Sequence, residues 1–385
     1  MTKELKKNRA IETLQQIQKE MKTHFLEMDD VIEGLLVGLI AEQNVLLIGP
    51  PGSAKTQISK FIAKSIGGEF FDHLLTKYTV PDELFGPIDI IAMREKKVFK
   101  RVTEHTLATA HIALLDEFWK ASSAIINYML RAANEREFKE NGQVIKLPLK
   151  MMIGASNEYP TGEETGAMYD RFNLKYETTY IEEDKNFLGL LCTADKDPEP
   201  TNNISLPELQ DVITRAEALP CPKQILETLT QMRRELKKAG IILSPRRWKK
   251  SIRMLKAKAI LRGAGKVEDE DIGFLSNVLW NNPEQKPVVT KLIAQVVNPL
   301  LQKAMELMDM ASEIWRNLEN TQGASARGKA LLEARAKFAS MRKQLLEMKE
   351  QTTPQGKWMI KMEEIYEKVS QHQRAVAEEL NSGLI

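Results

Sequence analysis

An apolar run, Val45-Leu46-Leu47-Ile48, feeds directly into Gly49-Pro50-Pro51-Gly52-Ser53-Ala54-Lys55-Thr56. Apolar residues then recur at helical spacing at Ile58, Phe61, Ile62 and Ile66. A strand that bends on glycines into the start of a helix is the geometry of a phosphate-binding loop. Successive backbone N–H groups curl around phosphate oxygens there, and the helix N-terminus adds its partial positive charge. Lys55 is spaced to reach the β and γ phosphates, and the Thr56 hydroxyl to hold Mg²⁺. One residue departs from the general motif: Ala54 stands before the lysine, where glycine is usual. A chance Lys-Thr after a tight turn is the competing explanation, and the rest of the chain decides between them.

The 385 residues are enough for two or three domains, and 43% hydrophobic with 28% charged residues supplies cores without a signature of disorder. Lys and Arg total 55 against 53 Asp and Glu. That balance argues against nucleic acid as a partner, which calls for a clustered basic face. No apolar run approaches the ~20 residues that span a bilayer, and MTKELKKNRA leads into an amphipathic helix. The expected location is therefore cytoplasmic. Cys192 and Cys221 lack metal-ligand spacing and are expected to be reduced and structural, and the five histidines form no metal cluster.

Residues 1–40 read as two helices. From 45 to about 180, short apolar strands (Val45–Ile48, Ile112–Leu115, Met151–Ala155) alternate with helical stretches, the pattern of an open α/β sheet. Two segments read as β-hairpins: Ile88–Val102, with Arg94-Glu95-Lys96-Lys97 at its tip, and Arg136–Leu147, turning on Asn141-Gly142. A polar linker at 193–207 precedes helices to about 300. Apolar stripes through Leu301–Leu318, Leu331–Met348 and Trp358–Val376 predict three helices folded into a hairpin or small bundle. Three domains follow: 1–195, 205–295 and 296–385.

Ile112–Leu115 ends in Asp116-Glu117 about 60 residues after the loop. Asp116 would share Mg²⁺ with Thr56. Glu117 would orient the attacking water as general base, unless it is a solvated strand-end acid. The strand at 151–155 runs on to Asn157, which can bond the water or the γ-phosphate, or can simply form a turn. Arg171 is either a local partner of Asp170 or the cation that reaches a neighbouring subunit's γ-phosphate. Ser244-Pro245-Arg246-Arg247-Trp248 opens a helix whose guanidinium could fold back onto bound phosphates. The alternative there is a solvated basic run, Arg246-Arg247 with Lys249-Lys250.

In this order the elements resemble the AAA+ ATPases. The Gly-x-Pro-Gly-x-Ala-Lys-[Ser/Thr] loop is similar to that of the MoxR family, where Ala54 is the expected residue, and within it to the RavA-type regulatory ATPases. Thr79–Pro87, Leu115–Ala121, Asn134–Phe138, Ala155–Glu158, Tyr169–Arg171 and Arg246–Lys250 carry the likeness over residues 5–290, about three quarters of the chain. The resemblance implies an α/β AAA+ core of the P-loop NTPase type, with a parallel sheet, in the helix-2 insert branch. An all-α lid and an α-helical C-terminal bundle would follow. It implies ATP and Mg²⁺ as cofactors, bound by Gly49, Pro50, Pro51, Gly52, Ser53, Ala54, Lys55, Thr56 and Asp116. Glu117, Asn157, Arg171 and Arg246 (or its neighbour Arg247) would be the catalytic set.

The resemblance further implies a homo-oligomer, expected to be a hexamer, hydrolysing ATP between subunits to remodel a protein client. A partner with a von Willebrand factor A (VWA) domain is the family's default. The hairpins at 88–102 and 136–147 resemble the helix-2 insert and the pre-sensor hairpin. The tail differs from RavA-type proteins in lacking a strand-rich insert. Two other classes stay open: a motor acting on nucleic acid, and a nucleotide-gated scaffold with little turnover.

Overall fold

The computed structural model describes residues 3–140, 143–160, 168–192, 196–297, 299–321, 324–350 and 357–381. Two helices, α1 (Lys3–His24) and α2 (Asp29–Ala41), lead into β1 (Asn44–Ile48), which the phosphate loop connects to α3 (Lys55–Ser65). Then come β2 (Phe70–Leu74), the short α4 (Pro81–Phe85) and α5 (Ile90–Lys96), β3 (Ile112–Asp116) and α6 (Ser123–Glu135). A hairpin of β4 (Glu137–Glu140) and β5 (Gln143–Lys146) precedes β6 (Met151–Ser156) and β7 (Phe172–Glu177).

The five-stranded sheet is parallel in the order β2-β3-β6-β1-β7. Strands buried on both faces are expected to read as continuous apolar runs, and β1, β3 and β6 do. The exceptions are β2 and β7, which sequence reading missed. In β7, Asn173 and Lys175 are buried, and each is satisfied from far along the chain. Asn173 donates to Gln43 Oε1 at 3.1 Å, and Lys175 to the Trp280 carbonyl at 3.3 Å. On one face α2 lies close enough to β7 that a side chain at Gly34 would collide with the Tyr176 ring. Phe85, Phe118, Phe138 and Phe172 belong to a second buried cluster, with Phe85 and Phe138 stacked 3.9 Å apart.

The 88–102 segment differs from expectation. Its arms pair through Ile88 and Arg101, but α5 replaces the hairpin tip. The cause is local: the Asp89 carboxylate accepts from Ala92 N–H at 2.9 Å as an N-cap, and Lys97 closes the helix at φ 51°. The second hairpin forms as expected, pairing Glu140 with Gln143; its Asn141-Gly142 turn lies outside the described residues.

After α7 (Asp184–Leu191) come α8 (Leu206–Ala218), α9 (Lys223–Lys238) and α10 (Pro245–Arg262). The chain divides into two compact units. The first unit holds residues 1–222, 243–267 and 277–281. Helices α8 and α10 belong to it because they pack on α1 and α2. α8 starts with a Ser205/Glu208 capping box. The second unit holds 223–242, 268–276 and 282–385. It contains α9, α11 (Lys286–Val297), α12 (Pro299–Asn320), α13 (Ala324–Glu350) and α14 (Lys357–Asn381). The last three form the expected bundle around Ala304, Leu318, Leu331, Phe338, Leu345 and Val369. The expected breaks at Gly323, Pro354 and Gly356 fall outside the described residues. Cys192 is exposed and Cys221 half-buried, both free, so neither sits in a core. Among the described residues, no helix is long and apolar enough to cross a membrane.

Candidate nucleotide site and basic cleft

Parallel register aligns the chemistry at one edge of the sheet. Ile48 pairs with Ser156 and Leu115 with Gly154, so the loop after β1, Asp116 at the end of β3 and Asn157 after β6 emerge side by side. This is the strand-end edge, where open α/β sheets bind ligands. Gly49 has no room for a side chain, since a Cβ there would meet the Thr178 carbonyl at 2.1 Å. Gly52 (φ 79°) and Ala54 (φ 57°) are both left-handed, the alternation that turns neighbouring N–H groups toward one point. The alanine thus adopts the backbone that glycine supplies in the general motif, at a steric cost of about 1 kcal/mol.

Ser53 Oγ lies 2.9 Å from both the Pro50 carbonyl and Thr178 Oγ1, and Tyr180 donates to the Pro51 carbonyl at 3.1 Å. The strand after β1 in the sheet therefore braces the loop. Lys55 Nζ donates to the Gly49 and Pro50 carbonyls at 2.7 and 2.8 Å. Burial lowers its pKa below the ordinary lysine value, and Asp116 and Glu117 partly offset this.

Glu117 is held on both oxygens. Asn157 Nδ2 donates to Oε1 at 3.0 Å, and Lys120 Nζ stands 3.2 Å from Oε2. The Glu117 N–H donates to Asp116 Oδ1 at 2.8 Å, which fixes one carboxylate oxygen of Asp116. Thr56 and Asp116 fit a magnesium ion as oxygen donors. Mg²⁺ takes one or two protein oxygens and completes its shell with phosphate and water. Among the described residues, no group of three or more His, Cys, Asp or Glu is placed to hold a metal ion.

Arg171 and Arg246 are elsewhere. Arg171 immediately precedes β7, whose first residue Phe172 pairs with Asn44 at the start of β1. The loop follows the other end of β1, five residues on, or about 17 Å at ~3.3 Å per residue. Arg171 therefore sits at the opposite edge of the sheet from the phosphate loop of its own chain. It lines an open cleft of about 480 Å³ with Arg131, Arg246, Lys249, Lys250 and Arg253, and no loop residue lines that cleft. The expectation that Arg246 folds back onto its own phosphates does not hold in this arrangement, because α10 begins beside the Tyr169–Arg171 turn. Arg247 is buried, with its guanidinium bonded to Asp170 and Asn281 and to the Trp280 carbonyl.

Sequence reading placed Lys250 only in a basic run at the start of α10. Burial, with Arg136, Arg246 and Arg171 nearby and Asp170 opposing, lowers its pKa to about 8. A signal was available: positions 246, 249, 250 and 253 share one helical face, so the basic run is a stripe. Thr178, which braces Ser53, carried no local signal, since its partner lies 125 residues away, whereas Lys120 sits three residues after Glu117, a spacing open to reading from sequence.

The sheet order, the phosphate loop and the acid-bearing strand ends define a P-loop protein of the AAA+ class. Comparison with known proteins narrows this. Residues 12–212 match the model described as the MoxR domain in the MoxR-vWA-beta-propeller ternary systems, and residues 224–293 match an AAA lid domain. An uncharacterized protein of Methanocaldococcus jannaschii is 34% identical over 307 residues, covering 80% of this chain and 79% of its own. Chaperone MoxR1 of Mycobacterium tuberculosis is 29% identical over 177 residues, 44% of this chain and 45% of that one. A crystal structure from Cytophaga hutchinsonii, assigned to an ATPase, superposes with a TM-score of 0.63 at 18% identity, over 76% of this chain and 96% of its own. The chain belongs to the MoxR family of AAA+ ATPases.

Proposed function

We propose that this protein hydrolyses ATP at sites shared between identical subunits, in a hexameric ring that remodels a protein client. One observation carries the reading: the phosphate loop and Arg171 lie at opposite edges of the same sheet. A guanidinium reaching the γ-phosphate has to come from another copy. Head-to-tail contacts that close into a ring provide this at every site.

In this reading the loop N–H groups and Lys55 bind the phosphates, and Thr56 with Asp116 hold Mg²⁺, which neutralises phosphate charge when bound. Glu117, oriented by Asn157 and Lys120, takes the proton of the attacking water. Arg171, accompanied by Arg246, stabilises the charge on the transferred phosphoryl from the neighbouring subunit. Residues 1–195 form the motor core. The 205–295 helices act as the lid, and the 296–385 bundle as an accessory domain. The description of the matched family model supports a VWA-domain protein as partner.

The test is ATP turnover with and without a VWA-domain partner and single-stranded DNA. Stimulation by the protein partner alone supports remodelling, and stimulation by DNA alone replaces it with a nucleic-acid motor. Equal rates for the wild type and Glu117→Gln remove Glu117 as the base, and negligible wild-type turnover overturns hydrolysis and leaves a nucleotide-gated scaffold.

A further inference from the structure

Three consecutive residues before β7 face three different tasks. The Tyr169 ring covers the Lys175 ammonium at 4.3 Å, Asp170 bonds Arg247, and Arg171 lines the basic cleft. Arg247 lies in the first turn of α10, where Ser244 caps the helix by accepting from the Arg247 N–H. The residue is 2% exposed. One terminal nitrogen donates to Asp170 Oδ1 at 2.5 Å, and the other donates to the Trp280 carbonyl at 2.9 Å and Asn281 Oδ1 at 2.8 Å. Lys175, from the middle of β7, donates to the same Trp280 carbonyl at 3.3 Å. Burial and the nearby Arg247 charge push the Lys175 pKa well below the lysine range, and Asp170 is the carboxylate bonded to Arg247.

We infer that Arg247 is a positioning residue for the Arg171 finger: the Asp170–Arg247 clamp locks the finger turn to the start of α10. This rests on the reading of Arg171 as acting on the next subunit. The arrangement has a clear logic. Arg246 and Arg171 line one cleft, and the residue adjoining each of them is a member of the clamp. The two guanidiniums are thereby set in fixed register. A planar, forked donor suits this role, because three acceptors from two segments fix its orientation as well as its place. An ion pair with one partner buried and the other partly exposed, as here, is weak as a stabilising device, and apolar substitutes of similar volume often match it. Fixing geometry is what such substitutes cannot reproduce.

The test uses full-length subunits in mixed rings. Arg247→Met and, as a shape-preserving second variant, Asp170→Asn are expected to keep nucleotide affinity within about twofold while kcat falls roughly 100-fold, the scale of a misplaced catalytic group. Each is then co-assembled with Lys55→Ala, which cannot hold phosphate but carries an intact finger turn. In an equal random mixture about a quarter of sites pair a competent loop with an intact finger, so activity should return to about that fraction. Arg171→Ala mixed with Lys55→Ala runs in parallel. Failure of that control overturns the finger in trans. Its success, together with no recovery for Arg247→Met and Asp170→Asn, overturns the clamp alone, as does unchanged kcat in either variant.

Discussion

Asn157 and Glu117 are bonded to each other, amide nitrogen to carboxylate oxygen at 3.0 Å, although 40 residues separate them in the chain. The register of β3 and β6 brings them together. The base and the amide therefore move as one group, and Lys120 holds the other carboxylate oxygen.

Glu117→Gln should lower ATP turnover by about 100-fold or more, with nucleotide affinity retained, because it removes the proton acceptor and leaves the phosphate contacts. Asn157→Ala should cost less, since Lys120 still restrains the carboxylate. Phosphate release and titration with a fluorescent nucleotide measure the two quantities separately.

Ala54 tests the backbone argument. Ala54→Gly relieves the left-handed strain and adds freedom to the unfolded chain, so stability should change by under about 1 kcal/mol. Ala54→Val places a β-branched residue at φ 57° and should cost about 2 kcal/mol while weakening nucleotide binding. Thermal unfolding with and without nucleotide reads both.

Lys250 predicts a pH dependence with a definite sign. Its pKa is about 8 in the folded protein, against 10.5 unperturbed. Between those values the unfolded chain binds the proton more tightly, so stability rises with pH. Below about pH 8 the cost of the charge is fully present. Lys250→Met should therefore stabilise the protein at pH 7, on the order of 1–3 kcal/mol. The gain should shrink as pH rises through 8 toward 10.5. Turnover should fall in the same variant, as one cation leaves the cleft. Denaturant titrations at pH 7 and pH 9.5 check the sign.

Phe338 is fully buried in the bundle of the second unit. Phe338→Ala should destabilise that unit by about 3–5 kcal/mol. Nucleotide binding, which belongs to the first unit, should persist. Circular dichroism melts paired with nucleotide titration would show the two responses separating.

The nucleotide side of the site was legible because its signals are local. Glycines bend the loop, apolar runs mark β1, β3 and β6, and the acids end a strand. β7 was illegible for the opposite reason: Asn173 and Lys175 break its apolar pattern, and their partners Gln43 and Trp280 are far away in sequence. The helix α5 was missed because a basic tetrapeptide resembles a turn until Asp89 caps it. Arg246 and Arg247 could not be told apart from sequence, since only packing shows that one is buried on Asp170 and the other lines the cleft.

The path of the chain between its two units has a consequence for heredity. The backbone leaves the first unit after Pro222, returns at Leu243, leaves after Val267, returns at Asn277 and leaves for the last time after Asn281. No single cut separates the units, so a single recombination crossover cannot exchange one of them intact between relatives. Arg246, Arg247 and the Trp280 carbonyl lie on the two returning segments, so a crossover between 222 and 243 would inherit a finger turn from one parent and its clamp from the other.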